Sequence, residues 1–172
     1  MNLLTQDSLP QILAQCFIDE ARNGDLWVPR DMSELYADAL CGVVRRFNFG
    51  DGSTALRVHI DTDNGTANVW ELAAELERFP ETRAEIGKRC KSAGLIIACA
   101  CQYRLCRLDT EFLFHGSPYK NGIPDDRRKA QWFAERTTTN EDFWFDIAAG
   151  GADFCFGAEQ ALDLGVVQVV IA

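Results

Sequence analysis

Two histidines occur in the 172-residue chain, His59 and His115. Imidazole acid–base chemistry near neutral pH must use one of them. His59 lies inside the alternating run from Ala55 to Ile60 and reads as an ordinary strand residue. His115 ends the apolar run Phe112-Leu113-Phe114 and precedes Gly116-Ser117-Pro118. That is the end of a strand, where α/β proteins place side chains that face a crevice. Ser92 falls where a glycine-containing segment, Gly87 to Gly94, runs into the apolar stretch Leu95 to Cys101. A serine there either caps the helix or uses the free amides of its first turn to stabilise developing negative charge. The segment lacks the G-x-S-x-G pattern, since Cys90 stands two residues before Ser92. Asn64-Gly65 is a second glycine turn opening onto a helix, either a plain tight turn or a source of a backbone N–H for an oxyanion.

The elements that must position these residues alternate in type. Helical spacing of apolar residues predicts helices over 8–22, 33–47 and 66–78, and an apolar helix over 95–101. Further helices are expected at 125–136 and 158–164. Short strands are expected at 26–28, 55–60, 84–86, 105–108, 112–115 and 166–171, with turns at 50–53 and 63–65. Strand–helix alternation of this kind indicates one α/β domain with largely parallel strands.

Composition narrows the function classes. The formal charge of −9 and isoelectric point near 4.7 speak against a nucleic-acid partner, which would need a basic surface. Arg127-Arg128-Lys129 follows Asp125-Asp126 and reads as a mixed-charge helix face. The seven cysteines are an odd set, unlike a secreted disulfide framework. Cys99 and Cys101 lack zinc-ligand spacing and read as small buried residues, so neither a metal nor a cofactor is expected. No signal peptide and no membrane span is legible, which points to the cytoplasm.

Four segments, in order, resemble the proteolytic subunit of the Clp protease, within the ClpP/crotonase superfamily. That family has a strand ending in N-S-P-G-G-S; here the stretch is Asp61-Thr62-Asp63-Asn64-Gly65-Thr66. Its nucleophile lies in G-x-A-A-S-M-G before an apolar helix, matched by Gly87 to Gly94 with Ser92. Its histidine ends an apolar strand, as His115 does. Its aspartate precedes F-x-S-A-x-E-A near the C-terminus, as Asp153 precedes Phe154 to Ala161. The resemblance spans roughly residues 25–171, with Leu26 to Val44 matching the first strand and helix and 1–24 a divergent N-terminal segment.

The resemblance implies a repeated ββα spiral core and a serine peptidase acting through a Ser92–His115–Asp153 triad. It also implies an oxyanion hole from the Gly65 and Ala93 amides. Its partners would be peptide or unfolded-protein substrate, further copies of the chain in a ring such as a heptamer, and an ATP-dependent unfoldase. Three departures stand out: Asp63-Asn64 replaces Pro-Gly, Lys91 precedes the serine, and only 38 residues (153 − 115) separate His115 from Asp153. Residues 119–145 can therefore supply only a shortened handle. The aromatic cluster Trp132, Phe133, Phe143, Trp144 and Phe145 fits either core packing or an inter-subunit surface. Two alternatives stay open: a catalytically inactive structural or regulatory relative, and a crotonase-like acyl-CoA enzyme.

Overall fold

The computed structural model describes residues 24–46, 55–65, 68–116 and 123–172. The helix expected at 8–22, the turn at 50–53, Thr66 and the loop 117–122 lie outside the described residues. Three successive units start the fold. Strands β1 (Asp25–Val28) and β2 (Asp31–Met32) lead into helix α1 (Glu34–Arg46). Strands β3 (Leu56–Thr62) and β4 (Asn64–Gly65) lead into α2 (Val69–Glu77). The long strand β5 (Thr82–Lys91) leads into α3 (Ala93–Ala100). Then follow β6 (Tyr103–Arg107), β7 (Glu111–Phe114), α4 (Ile123–Ala134), α5 (Glu141–Gly150), β8 (Phe154–Gly157), α6 (Ala158–Asp163) and β9 (Val169–Ile171).

The main sheet runs β1-β3-β5-β6-β9, every neighbouring pair parallel. Side-chain alternation explains its one-sided core. In β3, Leu56, Val58, Ile60 and Thr62 are buried, while Arg57, His59 and Asp61 face the other way. Helices α1 and α2 cover the buried face with Leu40, Val43, Val44, Leu72 and Leu76. Burying each such aliphatic side chain stabilises the fold by ~1.5–3 kcal/mol relative to exposure. Every residue of α3 is buried, as expected of a helix that is apolar on all sides.

Strand β5 organises the rest. Its first half pairs with β6 through Arg83 to Ile86, and its end pairs with β7 through Arg89 to Lys91. Meanwhile β2 and β4 form a small parallel ladder of their own, with Asp31 opposite Asn64 and Met32 opposite Gly65. These paired short strands and the turning β5 make up the expected ββα spiral of a mixed α/β, mostly parallel fold. Among the described residues no helix is long and apolar enough to cross a membrane.

Three expectations need correction. The strand expected at 84–86 is longer: β5 continues through Gly87 to Lys91, with Cys90 buried and Lys88 exposed. Helix α5 and strand β8 arise in a stretch where the sequence predicts neither. Only Val169–Ile171 of the expected final strand is extended, and Val166 and Val167 are instead buried before it. The aromatic cluster divides by burial. Phe133 and Trp144 are fully buried and pack against each other and Phe114, while Trp132, Phe143 and Phe145 pack on the margin. Cys99 and Cys101 are buried thiols as expected, and burial pushes them up to about 11 and about 12.

Candidate active site

Ser92 sits alone between the end of β5 and the start of α3, at φ 51° and ψ −107°. Among the described residues it is the one non-glycine with positive φ. Such a conformation costs ~1–3 kcal/mol and persists only where surroundings fix it. Here they do: the Ser92 N–H donates to the Leu113 carbonyl at 3.0 Å, and its own carbonyl accepts from Leu95 N–H at 3.2 Å. The result is a sharp strand–serine–helix turn of the kind that G-x-S-x-G signals in other folds, reached without that sequence. The hydroxyl makes no helix-cap bond.

The hydroxyl instead faces His115, whose Nε2 lies 2.8 Å from Ser92 Oγ. The two meet because β7, which ends at Phe114, pairs in parallel with the last residues of β5. On the other side of the ring, Nδ1 lies 2.6 Å from the Gly116 carbonyl oxygen. A carbonyl can only accept, so Nδ1 carries a proton, and in the neutral ring Nε2 then presents its lone pair to the serine hydroxyl. This is the tautomer a general base for Ser92 requires. Gly116 can offer its carbonyl here because it presses on helix α5, where any Cβ would overlap the Ala148 carbonyl oxygen.

Asp153 is exposed, and among the described residues no hydrogen bond or ion pair joins it to His115. Its backbone position is close, however. Strands β7 and β8 are antiparallel with Phe114 opposite Phe154 and Leu113 opposite Cys155. The ladder ends there, with His115 one residue beyond it on β7 and Asp153 one residue before it on β8.

Gly65 and Ala93 adjoin: a Cβ on Gly65 would overlap the Ala93 Cβ and crowd Met32. Only glycine lets β4 lie this close to the first residue of α3. The amides of a helix's first turn have no intrahelical acceptor, and Ala93 N–H is the first of them in α3. The departures Asp63 and Asn64 are tethered to the preceding unit. Arg30 Nε donates to Asp63 at 2.7 Å, and Asn64 Nδ2 donates to Asp31 at 2.9 Å. Arg89 grips Asp61 at 3.1 and 2.9 Å, and this hydrogen-bonded guanidinium holds the Asp61 carboxyl below its usual range.

Lys91 Nζ is engaged with Glu111 at 2.9 Å on the β5–β7 surface. His59 does what a strand residue does, bonding Asp25 at 2.7 Å and stacking on Trp27. Sequence reasoning missed Gly116 and Lys129. The signal for Gly116 was its place directly after the candidate base. Lys129, whose Nζ donates to the His115 carbonyl at 2.6 Å, was hidden in a basic triplet whose other members, Arg127 and Arg128, are exposed. Among the described residues no cluster of three or more His, Cys, Asp or Glu side chains is arranged to hold a metal ion.

No family model and no curated protein matches the chain. Solved structures do. A peptidase from Plasmodium falciparum superposes with TM-score 0.77 at 9% identity, covering 92% of this chain and 99% of that one. A protein described only as an enzyme gives TM-score 0.76 at 9% identity, with 88% and 96% covered. A point mutant of ClpP1 from Listeria monocytogenes gives TM-score 0.73 at 18% identity, with 92% and 95% covered. The fold of this chain is therefore ClpP-like over most of its length.

Proposed function

We propose that the protein is a serine-type peptidase. The observation that carries this reading is the 2.8 Å approach of His115 Nε2 to Ser92 Oγ at a strained strand-to-helix turn. The ClpP-like fold and a peptidase among the structural neighbours support it. In the first step Ser92 Oγ bonds to a peptide carbonyl carbon as its proton passes to His115 Nε2. The oxyanion is received by the Gly65 and Ala93 amides. Collapse breaks the C–N bond, and the leaving amine takes the proton from His115. Water then attacks the acyl-enzyme on Ser92, giving a proton to His115 that returns to Ser92 as the acid product leaves.

Asp153 is the orienting acid in this reading. It takes over the Nδ1–H from the Gly116 carbonyl and stabilises the imidazolium as it forms. Its position one register step beyond the β7–β8 ladder supports that role. A second reading, an inactive structural or regulatory relative, is favoured by the exposed Asp153 carboxylate in the structure.

The substrate class is short or unfolded polypeptide in the cytoplasm, delivered by an ATP-dependent unfoldase. The working form is a ring of copies, with seven as the expected number. Supporting association, no helix among the described residues covers the outer face of the main sheet. That face exposes Trp27, Tyr103, Val169 and Ile171 at 53%, 61%, 49% and 44%. Parallel sheets are normally covered on both faces. Size-exclusion chromatography with light scattering tests the ring, a monomer at micromolar concentration contradicting it. Turnover of short fluorogenic peptides, with Ser92→Ala alongside, tests the activity. Loss of all turnover in the variant is expected, and equal turnover in both proteins would overturn the serine assignment.

A further inference from the structure

Lys129 Nζ donates to the carbonyl oxygen of His115 at 2.6 Å and lies 4.9 Å from the centre of the Phe114 ring. Phe114 is buried against Phe133 and Trp144. Burial pushes the ammonium down from its ordinary value to about 8, opposed in part by Asp126 on the same helix. On α5, Glu141 and Asp142 are taken up by Arg127 and Asp146 is exposed. The fold thus keeps a cation in surroundings that disfavour it. What the cation grips is the peptide carrying His115, one residue past the last β7–β8 pair. The next carbonyl, that of Gly116, receives the Nδ1–H. The direction of the imidazole follows from these two successive peptides, and Lys129 holds the first.

We propose that Lys129 is a positioning residue for the Ser92–His115 pair: from helix α4 it clamps the His115 carbonyl and so sets the peptide from which the ring reaches Ser92 Oγ. It touches no reacting atom. Anything that shifts the seat of α4 then changes the reactivity of the serine. The inference rests on the serine-nucleophile reading.

The test compares wild type with Lys129→Met, Lys129→Gln and Lys129→Arg. One readout is the rate of labelling by a fluorophosphonate. The other is the ring 15N and Nδ1–H signals of His115, identified in a His59→Gln background. Lys129→Met is expected to label about tenfold more slowly or worse, since small misplacements of a base are costly. Peptide kcat should fall with KM unchanged, and the Nδ1–H signal should broaden. Lys129→Arg, which keeps a charged donor, should restore rate and signal. A folded Lys129→Met that labels at wild-type rate overturns the proposal. If Lys129→Met does not fold, Lys129→Gln decides in its place. If wild type is not labelled at all, the serine reading fails. The ring signals then decide alone: an Nδ1–H unchanged in Lys129→Met overturns the positioning role, and its loss sustains it.

Discussion

The Nδ1–H of His115 is held by the carbonyl of Gly116 at 2.6 Å, in the place where a serine hydrolase usually has a carboxylate. The ring is therefore already in the tautomer that makes Nε2 an acceptor for Ser92. What a carbonyl does not supply is a negative charge for the imidazolium of the transition state, the part assigned to Asp153 in the proposed mechanism.

Removal of that charge should be expensive. Asp153→Ala is expected to lower kcat/KM by about 10²–10⁴, with little change in stability because the side chain is exposed. Steady-state peptide hydrolysis and a thermal melt measure both. A loss under tenfold would leave the Gly116 carbonyl as the sole orienting group.

Gly65→Ala drives a methyl group into the Ala93 Cβ. It should push β4 off the start of α3 and cost about 10²–10³ in kcat, the usual loss for one oxyanion donor. A stability loss of about 1–3 kcal/mol from overpacking should accompany it in urea titrations. Wild-type kinetics in this variant would place the oxyanion elsewhere.

The positive φ of Ser92 separates two inactive variants. Both Ser92→Ala and Ser92→Gly remove the nucleophile, but only glycine adopts φ 51° without strain. Ser92→Gly should therefore be more stable than Ser92→Ala by about 1 kcal/mol. Equal midpoints in urea would mean the turn relaxes when the hydroxyl is gone.

Lys129 makes stability depend on pH in the alkaline range. Its folded value is about 8, below its unfolded value of about 10.5. Between the two, the unfolded chain binds more protons, so stability rises with pH across that window. The penalty is present in full below pH 8 and is on the order of 3 kcal/mol at most. Urea midpoints of wild type relative to Lys129→Met should climb from pH 8 toward 10. A flat difference would mean that the ammonium is better solvated than its burial suggests.

Much of this was legible before any coordinates. The strands at 26–28 and 55–60 and the helices at 33–47 and 66–78 follow from simple periodicity and recur as β1, β3, α1 and α2 within a few residues. The end of β5 was not legible because Lys88, Arg89 and Lys91 look like loop residues. In the sheet Arg89 and Lys91 are satisfied by Asp61 and Glu111, contacts from 28 and 20 residues away. The meeting of Ser92 and His115 was suggested only by order and resemblance, since it depends on β5 serving both β6 and β7. The Gly116 carbonyl left only the glycine's place directly after His115 as a signal, because a backbone acceptor has no side chain to read.

Intact-mass analysis after fluorophosphonate treatment tests the central claim most directly. The account predicts one adduct per chain, formed with loss of fluoride, mapped to Ser92 by peptide fragmentation and absent from Ser92→Ala and His115→Ala. A folded protein that takes up no probe, or takes it up equally in Ser92→Ala, would contradict it.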